Sequence, residues 1–178
     1  MELELHQIDL RYEHLRRHNP PAERQLLASL ADEGQKAPVV VLALGQDRYL
    51  LLDGYKRFRA LHRLKRDTLQ ATLWDLDEAD ALLLERMMRS SDPDGPLEQA
   101  WFLRELRDRL GIPPEELARR FDRTPSWVSR RLALVEELPA EIQEHVLLGR
   151  LPAHTAMKVL VPLARTNLRD CTGCAMPC

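Results

Sequence analysis

The sequence is poor in cysteine, in aromatic residues and in long hydrophobic runs, and it carries almost no net charge. Its three cysteines, Cys171, Cys174 and Cys178, all lie at the C-terminal end, so no disulfide framework holds the preceding residues together. No apolar run approaches the ~18 residues of a membrane-spanning helix. The N-terminal residues lack the basic and apolar regions of a signal segment. We therefore expect a cytoplasmic protein.

The charge balance limits the partners that this protein can bind. A formal net charge of −2 excludes a bulk polycation, so contact with nucleic acid needs a local basic patch. The 178 residues are 44% hydrophobic and 30% charged, which is the balance of a globular chain with a real core. Aromatic residues make up 5% of the chain.

A cluster of turn-forming residues at positions 91–96 divides the sequence into two parts. Strand and helix patterns alternate before the cluster, and only helical patterns follow it. We therefore predict an α+β fold: a small mixed-sheet domain over residues 1–90 and an all-α domain over residues 97–165. We expect the cysteine-containing tail, residues 166–178, to be disordered.

The helical part contains two short helical patterns separated by a tight turn. Leu117 and Phe121 lie on one apolar face of the first helix. Thr124 then suits the N-cap of a second helix, with Pro125 at its first position. Asp122 stands in the turn, where glycine is common, and aspartate tolerates the left-handed conformation better than most residues. The pattern is that of a helix-turn-helix.

The second helix of this pair carries the side chains that DNA recognition needs. Short hydroxyls and guanidinium groups near a helix N-terminus suit base edges and phosphates in a major groove. Residues 104–131 contain eight arginines against five acidic residues, a modest local excess of positive charge. The alternative is an ordinary helical hairpin with a solvated charged face. The predicted DNA-binding residues are Arg123, Thr124, Ser126, Ser129, Arg130 and Arg131.

A second stretch with recognisable chemistry begins where a predicted strand runs into Gly54. The helix that follows carries Lys56, Arg57 and Arg59 in its first turns. Helix-start N–H groups and arginine side chains together form an anion site of the kind that a phosphate needs. Cations at a helix N-terminus disfavour the helix itself, and this cost favours a functional reason for them. The alternative is a solvated basic helix.

The order of these parts resembles the ParB family of bacterial partition proteins, over about residues 3–165. Residues 54–60 are similar to that family's Gly-Glu-Arg-Arg-x-x-Ala phosphate box, and residues 85–89 stand where the family has Glu-Asn-x-x-Arg. The other matching segments are residues 26–34 with 38–41, which resemble the first nucleotide box, and residues 138–156 after the helix-turn-helix.

The resemblance implies a ParB/sulfiredoxin-like N-terminal domain that binds CTP with Mg²⁺ and acts as a clamp switch. It also implies a nucleoid-associated homodimer that binds a specific site on double-stranded DNA, and a ParA-type ATPase as a possible partner. Carried over by position, Glu85 is the catalytic candidate, and no metal-ligating residue is assigned. The predicted nucleotide-binding residues are Gly34, Gly54, Lys56, Arg57, Arg59, Ala60 and Arg89.

Several positions depart from the family pattern. Tyr55 replaces the glutamate of the phosphate box, and Lys56 replaces an arginine without its bidentate fork. Arg86 stands where a Mg²⁺-coordinating asparagine is expected, and arginine is not a metal ligand. Ala37 stands where a glutamine usually precedes the proline and helps hydrolysis. We predict nucleotide binding with weak or absent CTP hydrolysis; the alternative is a decayed box in a purely structural domain.

Other function classes remain open at this stage. One is a nucleotide-independent transcription regulator or a mobile-element accessory protein with a degenerate N-terminal domain. A nuclease is a further alternative, with Asp53, Asp75 and Asp77 as candidate carboxylates. A sulfiredoxin-like enzyme needs a nucleophilic cysteine, and residues 1–170 contain none. The terminal cysteines have a spacing that can bind zinc, although free thiols in a disordered end are the alternative.

Overall fold

The computed structural model describes residues 1–16, 20–89 and 94–166, and it divides the chain into two compact units, Met1–Ser91 and Asp92–Cys178. The first unit contains β1 (Glu2–Glu4), β2 (Ile8–Asp9), α1 (Pro20–Glu33), β3 (Val39–Gly45), β4 (Arg48–Asp53), α2 (Tyr55–Arg63), β5 (Thr68–Trp74) and α3 (Glu78–Met88). The second contains α4 (Pro96–Asp108), α5 (Pro114–Arg120), α6 (Pro125–Glu136), α7 (Ala140–Leu147), α8 (Ala153–Thr155), a π-helical turn (Ala156–Leu160) and α9 (Val161–Thr166).

The first unit is built on a mixed five-stranded sheet in the order β1-β5-β3-β4-β2. The pairs β1–β5 and β3–β4 are antiparallel, whereas β3–β5 and β2–β4 are parallel. Strands β1 and β2 lie at opposite edges, although only a 3-10 turn, Leu5–Gln7, joins them. Four Cα–Cα steps reach about 15 Å, whereas a flat sheet of five strands spans about 19 Å. The sheet therefore curls so that its two edges approach each other.

This topology corrects one expectation from the sequence. The alternation at Leu3, Leu5 and Ile8 predicts a single strand over residues 2–10. The structure breaks it at the 3-10 turn, whose Leu5 amide donates to the Asp67 carbonyl at 2.9 Å. Period-two alternation cannot reveal such a break, because Leu3 and Ile8 are both buried on either side of it. The α+β class is confirmed. The sequence also predicts a hairpin of two strands, over residues 39–44 and 48–53, and the structure confirms it as β3–β4.

The core of the first unit is aliphatic, as the low aromatic content requires. Val39, Val41, Leu50, Leu51 and Leu52 are fully buried along the β3–β4 hairpin. Helix α2 covers the sheet, and its buried side chains are Tyr55, Phe58, Ala60 and Leu61. The hairpin places a basic helix directly after the sheet's most buried strand.

Helix α1 begins earlier than the sequence predicts. We expected a loop over residues 11–21, whereas the helix starts at Pro20. Proline in a first helical turn removes an N–H that has no intrahelical partner anyway, so two consecutive prolines are compatible with this start. The expected loop also contains the fully buried Tyr12, whose hydroxyl donates to Glu78 on α3 at 2.5 Å.

The second unit has its own helical core. Helix α4 packs against α5, α6 and α7, and α6 also contacts the π-helical turn. One cluster of buried residues spans these elements: Leu97, Ala100, Ala133, Leu134, Val135, Leu138, Ile142, Val146, Ala156, Leu160 and Val161. None of the helices in the described residues is long and apolar enough to cross a membrane.

The turn between α5 and α6 matches the sequence prediction in detail. Asp122 adopts the left-handed conformation with φ of +51°. The Thr124 side chain accepts a hydrogen bond from the Trp127 amide at 3.3 Å, which caps α6. The Arg123 amide donates to the Ala118 carbonyl at 2.8 Å and closes the turn. Part of the 91–96 cluster (residues 91–93), and positions 167–178 with all three cysteines, lie outside the described residues.

Candidate functional site

The first candidate site is the start of α2. Its N-cap is Gly54, with φ of +103° and no side chain to cap the helix. The first N–H groups of α2 have no intrahelical acceptor and are therefore available to an anion. A Cβ at position 54 would lie 2.5 Å from Cγ1 of Val39. Glycine is thus required here by backbone conformation and by packing on β3, whatever the site binds.

The two cations nearest this helix start differ in what they contact. Lys56 is partly exposed and makes no hydrogen bond or ion pair with any described residue. Arg57 donates from Nη1 to the carbonyls of Ala37, at 3.0 Å, and Pro38, at 2.6 Å, and from Nη2 to Asp53 at 3.0 Å. Arg57 therefore ties α2 to the chain entering β3, and Lys56 is the more available cation.

A buried ion-pair network lies directly behind this helix start. Glu85 on α3 is only 5% exposed, and both of its carboxylate oxygens accept from Arg16 and from Arg89, at 2.9 to 3.2 Å. Arg16 also donates to the Leu52 carbonyl at 2.7 Å and lies 5.1 Å from the centroid of the Tyr55 ring. The network therefore joins the residues before α1, the end of β4, the first turn of α2 and the end of α3.

The contacts with Glu85 stabilise the charged form of Arg16. Burial alone would lower the pKa of Arg16, but hydrogen bonding and attraction to Glu85 raise it above its usual value. Burial raises the pKa of the Tyr55 hydroxyl, which donates to the Leu51 carbonyl. Glu85 was our catalytic candidate; both of its oxygens are engaged by arginines, so its role in the structure is to position them. Its catalytic role stays a prediction.

The remaining predicted nucleotide-binding residues have other contacts. Arg59 donates to Glu13 at 2.8 Å and to Glu23 at 2.5 Å, and these carboxylates raise its pKa against the effect of burial. Ala60 is 4% exposed and packs in the core. Gly34 has φ of +73° and ends α1, where its backbone N–H donates a hydrogen bond to the Leu30 carbonyl. Of the seven predicted positions, only Gly54, Lys56, Arg57 and Arg89 gather around the start of α2.

A cleft of about 1300 Å³ lies along the later part of α2. Its walls carry both charges, with Arg59, Arg63, Lys65 and Arg66 facing acidic residues that include Glu13. Neither Gly54 nor the two cations that follow it line this cleft. The cleft and the helix start are therefore separate features of the first unit.

The residues around the start of α2 do not fit a magnesium ion. Mg²⁺ needs several oxygen ligands, usually including one or two carboxylates. Glu85 has both oxygens bound to guanidinium groups, Arg86 has no lone pair to offer, and Asp53 is held by Arg57. Within the described residues there is no group of three or more His, Cys, Asp or Glu side chains arranged to hold a metal.

The second candidate site is the exposed face at the start of α6. Ser126, Ser129 and Arg130 are exposed and make no hydrogen bond or ion pair with the described residues. Arg123 is also exposed and lies 5.9 Å from the centroid of the Trp127 ring. Hydroxyls and guanidinium groups on the first turns of one helix can contact both base edges and phosphates.

Arg131 departs from the other predicted DNA-binding residues. Its side chain donates to Gln99 on α4 at 2.9 Å and to the sulfur of Met157 at 3.1 Å, and it lies 5.2 Å from the centroid of the Trp127 ring. Burial, followed by repulsion from Arg130 and Arg123, lowers its pKa. Arg131 therefore links α6 to α4 and to the π-helical turn, and its guanidinium group is not part of the exposed face.

The positive charge of residues 104–131 is smaller in the structure than the sequence count suggests. Glu116 binds both Arg119 and Arg120, at 2.5 and 2.8 Å. Arg107, Arg109, Arg119 and Arg120 all pair with carboxylates. Free positive charge near the α5–α6 turn therefore comes mainly from Arg123 and Arg130.

The role of Arg16 was not predicted from the sequence, because Arg16 lies in a polar stretch that predicts a loop. A signal was present, because Glu85 sits among apolar positions of α3 and a buried carboxylate requires a cationic partner. Arg89, four residues later, was an obvious partner, but a second one 69 residues away in sequence was not. The Gln99 contact of Arg131 was missed for the same reason.

The first unit is a curled mixed sheet that leads into a basic helix starting at Gly54, and the second unit is helical, with Arg130 exposed on α6. Residues 1–87 match the family described as the ParB N-terminal domain. The first unit of this chain is therefore a ParB N-terminal domain.

Curated relatives agree with this assignment. Over 139 residues the chain is 28% identical to the nucleoid occlusion protein of Listeria monocytogenes, covering 76% of this chain and 48% of that protein. Over 142 residues it is 30% identical to the probable chromosome-partitioning protein ParB of Neisseria meningitidis, covering 78% and 49%. The chain therefore spans about half the length of the curated relatives that it matches.

A solved structure shares the fold. The C-terminally truncated chromosome-partitioning protein ParB from Caulobacter crescentus, complexed to the centromeric parS site, matches with a TM-score of 0.50 and 22% identity over 98% of each chain. The same protein complexed with CTP-gamma-S matches with a TM-score of 0.46 and 22% identity, over 93% of this chain and 97% of that one.

Proposed function

We propose that this chain binds double-stranded DNA at specific sites through α6, in chromosome or plasmid partition or in related regulation on the nucleoid. The observation that carries the proposal is the exposed set Ser126, Ser129 and Arg130, whose polar groups have no bond to the described residues. Side chains of these types on the first turns of a capped helix suit direct readout in a major groove. Thr124 and Arg123, at the turn, are placed to bind flanking phosphates.

The partition role draws further support from relatives. The Neisseria protein is named as a probable chromosome-partitioning protein, and the Caulobacter protein of the same fold was solved with parS DNA. A specific DNA site read by a symmetric pair of helices is the usual arrangement for such motifs. We therefore propose that the protein acts as a homodimer, with a ParA-type ATPase as a candidate partner.

The N-terminal unit, in this proposal, binds the triphosphate of CTP at the start of α2. Lys56, the free N–H groups of the first helical turn and Arg89 supply the donors, and Gly54 and Arg57 hold the backbone in place. A lysine acts as a point charge without the bidentate geometry of arginine, so we expect modest affinity. Bound nucleotide then acts as a switch on DNA binding.

Hydrolysis of the bound nucleotide is expected to be weak or absent. The Ala37 side chain is a methyl group and cannot orient a water molecule, and its carbonyl accepts a hydrogen bond from Arg57. Glu85, the one buried carboxylate nearby, already binds two guanidinium groups. No general base is therefore offered near the start of α2 by these residues.

A second candidate is a nucleotide-independent DNA-binding regulator. The observation that favours it is that Arg57 and Arg59 are both held by internal partners, which reduces the free positive charge near α2. The two candidates share the role of α6 and differ only in whether a nucleotide changes DNA binding.

One experiment tests both candidates. DNA bound by the purified chain is selected from a random pool, with and without CTP, and the selected site is then titrated by fluorescence anisotropy. We expect a defined sequence to be enriched, and Arg130→Gln to weaken its binding by about tenfold. A CTP-dependent change in affinity or lifetime supports the switch, an unchanged titration supports the simpler regulator, and no enrichment refutes DNA recognition.

A further inference from the structure

We propose that this protein binds the triphosphate without a divalent metal, and that the pair Arg16 and Arg89 stands in the place of that metal. The inference rests on the proposed nucleotide site at the start of α2, and it changes the chemical form of the ligand. The species bound is the free, fully charged triphosphate and not its magnesium complex.

Both oxygens of Glu85 are fully occupied by hydrogen bonds. Its two oxygens receive four hydrogen bonds: from Nη1 and Nη2 of Arg16, at 3.0 and 2.9 Å, and from Nε and Nη2 of Arg89, both at 3.2 Å. The carboxylate is 5% exposed, so no face of it is open to a hydrated cation. A metal ion can reach it only if both arginines leave.

Arg16, one of the two arginines that hold Glu85, is itself anchored by other groups. Arg16 donates to the Leu52 carbonyl at 2.7 Å and lies over the Tyr55 ring, with its side chain 12% exposed. Tyr55 occupies the position where the family resemblance places a glutamate. In this chain that change supplies an aromatic face for a guanidinium group, which favours a cation there.

The side chains around the start of α2 carry a net positive charge. Arg16, Lys56, Arg57 and Arg89 lie around it, against two carboxylates, Asp53 and Glu85. Four positive charges against two negative ones repel a divalent cation and attract a polyanion. Magnesium bound to a triphosphate removes part of the negative charge that this surface attracts.

Position 86 offers no metal ligand either. The residue there is an arginine, which offers donors and no lone pair, where the family pattern implies an amide ligand. Replacement of one metal ligand and saturation of the other remove both protein contacts that a metal would need. Arg16 and Arg89, which occupy both oxygens of Glu85, supply the positive charge for phosphate oxygens instead.

The test measures CTP binding to the full chain by isothermal titration calorimetry, in EDTA and in MgCl₂ at matched ionic strength. We expect the dissociation constant in EDTA to be equal to or lower than that in Mg²⁺. Binding that is about twofold or more tighter with Mg²⁺, or seen only with Mg²⁺, overturns this inference and leaves the proposed nucleotide function standing. No binding in either buffer overturns both.

Two matched variants sharpen the result. Arg16→Gln frees part of Glu85, so Mg²⁺ should now tighten binding by about tenfold. Arg11→Gln removes the same charge from a pair with Asp9 and leaves Glu85 held, so it should keep the native behaviour. Equal metal dependence in both variants, or none in a folded Arg16→Gln protein, refutes the role given to Arg16. If circular dichroism shows that Arg16→Gln is unfolded, the native comparison decides.

Discussion

The two basic helix starts of this protein use their cations in opposite ways. At the start of α2 the arginines face inward: Arg57 binds two carbonyls and a carboxylate, and Arg16 and Arg89 share a buried glutamate. At the start of α6, Arg130 is exposed and has no bond to the described residues. The arginines of the first unit thus have internal partners, whereas Arg130 of the second has none among the described residues.

A count of basic residues therefore says little about a binding surface until the internal partners of those residues are known. Helix α2 begins with Lys56 and Arg57 in its first turn, which disfavours the helix, whereas Arg130 and Arg131 of α6 come after its first turn. In α2 that cost is offset by carbonyls and carboxylates supplied by neighbouring elements. In α6, Arg130 has no partner within the described residues.

The largest predicted effect concerns the buried pair behind α2. Glu85→Gln should destabilise the first unit by about 3–5 kcal/mol, because it leaves the buried Arg16 without its counter-charge. Hydrogen exchange of the β4 amides, Arg48–Asp53, measures this change within the first unit alone. Glu33→Gln is the control, since its pair with Lys36 is exposed and should contribute about 0–1 kcal/mol. Equal effects in both variants would contradict an inward role for the α2 network.

A somewhat smaller effect is predicted at Gly54. An alanine there keeps φ of +103° only under strain and places its Cβ 2.5 Å from Val39, so we expect a loss of about 2–4 kcal/mol by the same exchange measurement. Gly34→Ala is the matched control, because φ is also positive there but no heavy atom lies within 4 Å. It should cost about 1 kcal/mol. A mild Gly54→Ala would mean that glycine serves the ligand more than the fold.

The local features of both helix starts were predictable from the sequence, but the long-range contacts of their arginines were not. The hairpin, the α2 start and the Asp122 turn follow from nearest-neighbour chemistry, in which glycine, aspartate and threonine have specific backbone roles. The break between β1 and β2 was not predictable, because sheet curling decides it. The roles of Arg16 and Arg131 depend on partners 69 and 32 residues away in sequence, and no periodicity encodes such pairs.

Helix α6 offers a finer test of the contrast. Arg130→Gln should weaken binding of the selected DNA by about tenfold and leave stability within about 0.5 kcal/mol. Arg131→Gln should instead lower the stability of the second unit by about 1–2 kcal/mol, because the bonds to Gln99 and Met157 and the stacking on Trp127 are lost. Anisotropy and hydrogen exchange of α6 amides separate the two effects. If Arg131→Gln reduces DNA binding with no loss of protection, Arg131 belongs with the contact residues.

The smallest predicted effect is a pH dependence of stability. It differs between an ion pair whose carboxylate is mostly buried and one whose carboxylate is exposed. A hydrogen bond from Arg11 lowers the pKa of Asp9, whose side chain is 19% exposed, and one from Arg107 lowers the pKa of Asp108, which is 54% exposed. A carboxylate with a lowered folded-state pKa stabilises the fold above its unfolded pKa, about 3.9, and loses that contribution as the pH falls through the folded value.

At pH 7 we therefore expect Asp9→Asn to destabilise the first unit by about 1 kcal/mol, and Asp108→Asn to change the second unit by less than that. The Asp9 difference should shrink below about pH 4 and vanish below the lowered pKa. Urea denaturation at pH 7 and at pH 3, read by hydrogen exchange in each unit, measures both. A loss that persists unchanged at pH 3 would assign the effect to the Asp9 side chain's bond with the Arg11 amide, and not to its charge.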